Sequence, residues 1–164
     1  MSQRPIYLIV HNSPIFAAHW AMWIPSYDAQ TENVGHFGKL IQVEGNPLEG
    51  FKHEFMRNSD ITLNTSRKEV ILIGWTNEAN VRDGTNEGES YTDAQATDVI
   101  EEWALYTEAP GPSLRSAGSS SSGPGSRVQL QNCQTWMSKF VAILVENEIL
   151  AEQANAIFAE APKN

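Results

Sequence analysis

Apolar residues recur with a period of two through the first half of the chain and with a helical period through the second. A period of two sends successive side chains to opposite faces of a strand, whereas a period of about 3.6 draws one stripe along a helix. Strands first and helices after predict an α+β domain, with helices packed on a mainly antiparallel sheet of about five strands. Pro5 to Val10 is a short branched apolar run, the mark of a buried strand. Ala18 to Ile24 alternates, so that His19, Ala21 and Trp23 share one face and Trp20, Met22 and Ile24 the other. Pro25 ends it, and Ser26 to Gly38 reads as a polar loop. Lys39 to Glu44 is a third strand, stopped by Gly45-Asn46-Pro47. Phe51 to Arg57 is a fourth, with Phe51, His53 and Phe55 on one side. Glu69 to Trp75 carries Val70, Ile71, Leu72 and Ile73 in succession, which predicts a central strand covered on both faces.

Asn77 to Tyr91 is poor in apolar residues and reads as loop. Thr92 and Asp93 then offer a cap for a helix to about Thr107, with Val99, Trp103 and Tyr106 on one stripe. From Pro110 to Ser126, 14 of 17 residues are Gly, Pro or Ser, the composition of a flexible loop inside the domain. Beyond it, Gln131-Asn132-Cys133 opens an amphipathic helix through Trp136, Phe140, Val141, Leu144 and Val145. A last helix is expected from Asn147 to Ala161, with Leu150, Ala154, Ile157 and Phe158 along one side.

The 164 residues suit one domain, 1–164, and 41% hydrophobic with 19% charged residues does not suit a disordered chain. No apolar run approaches the roughly 20 residues of a membrane span, and Ile6 to Val10 is too short for the core of a secretory signal. A single cysteine leaves no disulfide framework and no multi-cysteine metal site, and it points to a reduced, cytoplasmic setting. With 20 acidic against 11 basic residues and a net charge of −9, the chain is poorly suited to nucleic acid or anionic membrane.

Cys133 is the first candidate for chemistry. Asn132 is a strong N-cap type, so Cys133 falls at the first turn of its helix, where unpaired amides and the helix dipole favour a thiolate. A small buried apolar residue is the bland alternative. A thiol nucleophile needs a base that works near neutral pH, which histidine supplies. His19 is the candidate, and His11, His36 and His53 compete with it. No HxH or HxxxH pair supports a metal site, so neither metal nor cofactor is expected. The five tryptophans read as core, Arg57 as a surface arginine ending a strand, and Asp98 and Glu101-Glu102 as a solvated helix face.

His19-Trp20-Ala21-Met22-Trp23 resembles the histidine strand of the circularly permuted papain-like superfamily. That superfamily holds the lecithin:retinol acyltransferase-like enzymes, the permuted NlpC/P60 hydrolases and the PPPDE thiol peptidases. In it the histidine strand comes early and an Asn-Cys motif opening a helix comes late, the order of His19 and Asn132-Cys133-Gln134 here. His-Trp-x-x-Trp-Ile-Pro at 19–25, Gly-Lys-x-Ile-x-Val-Glu-Gly at 38–45 and Asn-Cys-Gln-Thr-Trp at 132–136 together resemble a group of small fungal proteins, over about residues 5 to 150. The resemblance implies a permuted papain-like fold, with Cys133 as nucleophile, His19 as base and a third polar residue on the next strand orienting the imidazole. By position that residue is Gln42, where many relatives have histidine, with Glu44 in reserve. An amide oxygen holds the imidazole tautomer but lacks the charge of a carboxylate. The expected function is cysteine-dependent acyl transfer, as hydrolase or acyltransferase, on an amide, ester or thioester of a small-molecule or acyl-carrier substrate. The alternatives are a non-covalent cyclase or isomerase of secondary metabolism using His19, and an inert binding scaffold.

Overall fold

The computed structural model describes residues 3–11, 19–28, 30–46, 48–60, 68–82, 90–111 and 133–161. Six strands, β1 (Gln3–His11), β2 (His19–Asp28), β3 (Asn33–Asn46), β4 (Gly50–Asp60), β5 (Lys68–Asn77) and β6 (Tyr91–Asp93), precede three helices, α1 (Val99–Tyr106), α2 (Cys133–Glu146) and α3 (Gln153–Glu160). The strands form one antiparallel sheet in the order β5-β1-β2-β3-β4-β6. The fold is therefore α+β, as the change of period predicts.

The alternation on each strand sorts the core. Leu8, Val10, Trp20, Met22, Ile41, Val43 and Phe55 point to one face, where Ile100 and Ala104 of α1, Trp136, Phe140 and Leu144 of α2 and Phe158 of α3 pack on them. The other face carries a smaller cluster, Ile9, Ala21, Trp23 and Leu40, flanked by Tyr7 and Met56. In the β3–β4 hairpin Gly45 pairs with Phe51 at φ +146, where a Cβ would run into the Gly50 carbonyl. That close approach requires glycine and holds a register that sets Gln42 opposite Glu54.

Several expectations are corrected. β5 lies at the sheet edge, and Val70, Leu72 and Trp75 are 41%, 42% and 39% exposed. An unbroken apolar run records two apolar faces and does not tell where the strand sits. β1 takes the inner place, with Ile9 and Leu8 buried on opposite sides. Ser26 to Gly38 is mostly strand, because β2 and β3 continue pairing to Asp28–Asn33. Thr92 and Asp93 do not cap α1. They pair with β4, and Asp98 is the cap, its side chain accepting from the Glu101 amide at 2.9 Å. α3 starts at Gln153, since Glu148 takes a positive φ of 60° after α2. Pro110 is buried, and its carbonyl accepts from the Phe51 amide at 2.7 Å, so it belongs to the packed body. The rest of the expected loop, 112–126, and the Asn132 cap lie outside the described residues.

The charges around α1 are not a solvated face. Arg57 (1% exposed), Lys39 (1%) and Glu101 (0%) are buried together beneath the helix start. Arg57 Nη1 pairs with Glu101 Oε2, Lys39 Nζ pairs with Asp98, and Lys39 lies 3.4 Å from Glu101. Thr97 donates its amide and hydroxyl to Glu101 Oε1 at 2.8 and 2.9 Å. Burial pushes the Glu101 carboxyl up, but Arg57, Lys39 and the Thr97 amide outweigh it and hold it below the usual range.

Candidate active site

The site forms where β2 and β3 part at one end of the sheet. Their paired register runs from Asp28–Asn33 to Met22–Ile41. Carried past its last pair, the same register leads to His19 beside Glu44. Those side chains lie 3.8 Å apart, Nε2 to Oε1. Because strand residues alternate, Trp20 enters the core beneath α2, stacked edge-on against Phe158, and His19 turns to the opposite face. The backbone between them meets the first residue of α2. The Trp20 amide donates to Cys133 Sγ at 3.5 Å, and the His19 ring is hydrogen-bonded to the same thiol. Cys133 is 7% exposed and His19 33%.

His19 Nε2 meets Gln42 Oε1 at 2.7 Å. Gln42, 5% exposed, donates its own amide nitrogen to Glu54 Oε1 at 2.9 Å and lies 3.9 Å from Met56 Sδ. Burial is the largest influence on His19 and lowers its pKa. The hydrogen bonds to Cys133 and Gln42 and the charges of Cys133 and Glu44 outweigh it, so the imidazole is pushed up to about 9.

The other histidines fall elsewhere. His11, opposite His19 on β1, stacks on its ring at 5.8 Å, and burial, His19 and Lys68 lower its pKa. His53 faces the helices. Its Nε2 donates to the Thr107 carbonyl at 2.8 Å, which also accepts from Trp136 Nε1 at 2.7 Å, so it ties α1 to α2. His36 is exposed on β3. Trp20, Trp23 and Trp136 are core, whereas Trp75 is exposed at the edge.

The structure thus brings Cys133, His19 and Gln42 together, with Glu44 beside them. Sequence reasoning missed Glu54. The hairpin register that pairs Gln42 with Glu54 is centred on Leu48, two residues past the middle of the Gly45-Asn46-Pro47 break, so counting outward from that break does not find Glu54.

Chemically, the arrangement offers a thiol at a helix start, an imidazole that holds a proton, and an amide that orients the imidazole. No helix among the described residues is long and apolar enough to cross a membrane. No curated protein and no solved structure matches the chain. A family match covers residues 6–151, a span that includes His19, Gln42, Glu54 and Cys133. The chain belongs to that family, DUF6540, a family of unknown function.

Proposed function

We infer that the protein is a cysteine-dependent acyl-transfer enzyme on a permuted papain-like fold. One observation carries this reading: the His19 ring is held between Gln42 Oε1 and the Cys133 thiol. With Nε2 committed to Gln42, Nδ1 is the nitrogen left for the sulfur. The thiol proton passes to Nδ1, which gives a thiolate beside an imidazolium. Cys133 Sγ attacks the carbonyl carbon of an amide, ester or thioester, and the π pair moves to oxygen. The first-turn amides of α2 would bind the developing oxyanion at the helix N-terminus. The oxyanion re-forms the carbonyl as the bond to the leaving group breaks, and His19 Nδ1–H protonates that group. Neutral His19 then takes a proton from water or an acceptor alcohol or amine, which displaces the thiolate. Water makes the enzyme a hydrolase, and another acceptor makes it an acyltransferase. A small molecule or an acyl carrier is the substrate, and a reducing, cytoplasmic setting keeps the thiol in use.

The burial of Cys133 favours one competing reading, a non-covalent scaffold. Iodoacetamide alkylation across pH 5–10 separates the two. The acyl-transfer reading expects alkylation to stay fast well below the ordinary thiol range near 8.5. It also expects 4-nitrophenyl acetate to leave an acetyl group on Cys133, seen by mass. Slow alkylation that follows a free thiol, with no acetyl adduct, establishes the scaffold instead.

A further inference from the structure

We propose that Glu54 is a positioning residue that locks the Gln42 side-chain amide in the one orientation that serves His19. This rests on the acyl-transfer reading for its role, and on the hydrogen bonds alone for its geometry. A glutamine amide has two ends of similar shape and opposite chemistry, an oxygen that accepts and a nitrogen that donates. Rotated by half a turn, it fits the same space but presents N–H to the imidazole. An amide between two neutral partners that can both donate and accept has no fixed sense.

Here the sense is set from the far side. The Glu54 carboxylate accepts from Gln42 Nε2 at 2.9 Å. A carboxylate accepts and does not donate, so a flipped Gln42 would set oxygen against oxygen. The nitrogen stays on Glu54, the oxygen stays on His19, and His19 Nε2 must carry the proton. Nδ1 is thereby the nitrogen that gives and takes protons at the thiol throughout the cycle. The order Glu54–Gln42–His19–Cys133 crosses β4, β3 and β2 to α2, with each link on a different element.

The relay also gives a reason for glutamine at 42. A carboxylate there would face Glu54 directly across the hairpin, like charge against like charge, in a place 5% exposed. Glutamine both donates to the acid and accepts from the imidazole. Glu44 Oε1 lies 3.8 Å from the same His19 Nε2, beyond hydrogen-bond reach, and its charge also favours a proton on that nitrogen without fixing the sense of the Gln42 amide.

Glu54→Gln tests the lock, because it keeps the shape and removes the acceptor-only partner. Two readouts are taken: the ¹⁵N tautomer signature of neutral His19, about one pH unit above its midpoint of about 9, and iodoacetamide alkylation at pH 7. Wild type is expected to show the Nε2–H form. The variant is expected to gain the Nδ1–H form and to alkylate about fivefold more slowly, the equivalent of one ordinary hydrogen bond. The exchanged pair Gln42→Glu with Glu54→Gln restores a single sense, with the new amide donating to the new carboxylate and that carboxylate accepting from His19. It is expected to recover the Nε2–H signature and the alkylation rate. Should Glu54→Gln leave the tautomer signal of wild type, or the exchanged pair fail to recover it, the lock is overturned. The tautomer signal reads the lock even if Cys133 alkylates as a free thiol, so the failure of the acyl-transfer reading is seen separately.

Discussion

His19 and Gln42 are 23 residues apart in the chain, and their side chains meet at 2.7 Å, Nε2 to Oε1. The contact joins adjacent strands at the end where they part, so it aims the imidazole without filling the space in front of it. A histidine so held and also hydrogen-bonded to a thiol titrates far from its ordinary value.

His19 should show a midpoint near 9 by NMR of its ring protons. In a Cys133→Ala variant that midpoint should fall by at least about one unit. The sign follows from the opposing influences. Burial lowers the value, the Cys133 hydrogen bond is the largest of the influences that raise it, and the Cys133 charge adds to it after the Gln42 hydrogen bond. An unchanged midpoint would mean that the thiol and the imidazole do not communicate.

Acid should weaken the fold through Glu101. Its folded pKa lies below the ordinary 4.5, so its contribution is complete above that value and is lost as pH falls through the lowered one. Glu101→Gln should be less stable at neutral pH and should lose less on acidification, as read by urea midpoints from pH 7 to pH 3. Arg57→Met should cost about 3–5 kcal/mol, since it breaks a buried ion pair and leaves Glu101 with Lys39 as its remaining cation.

Trp23→Ala should cost about 3–5 kcal/mol in denaturant unfolding. The side chain is only 3% exposed and centres the cluster on the face opposite the helices. A loss within a few tenths of a kcal/mol would show that this face contributes nothing to stability.

His53→Ala should lower stability by about 1–2 kcal/mol and leave the alkylation rate of Cys133 unchanged. His53 is one of two donors to the Thr107 carbonyl and lies on the helix side of the sheet. A slowed alkylation would return it to the list of bases.

What could be read in advance follows the range of the forces involved. Alternation along β2 and the stripe along α2 depend on neighbours a few residues away, so the sequence by itself determined that strands come first, that helices pack on them, and that Trp20 and His19 turn to opposite faces. The motif order also marked Cys133, His19 and Gln42 as residues to watch. Only the tertiary structure decided which strand is central. β5 carries an unbroken apolar run as β1 does but has one neighbour, and pairing order is a long-range choice that periodicity does not record. It alone decided that Arg57, Lys39 and Glu101 are buried, because charges tolerate burial only when brought together from β3, β4 and α1. It likewise brought Cys133 to Trp20 across 113 residues and set Glu54 behind Gln42. Donor and acceptor geometry between side chains on different elements exists only once the chain has folded.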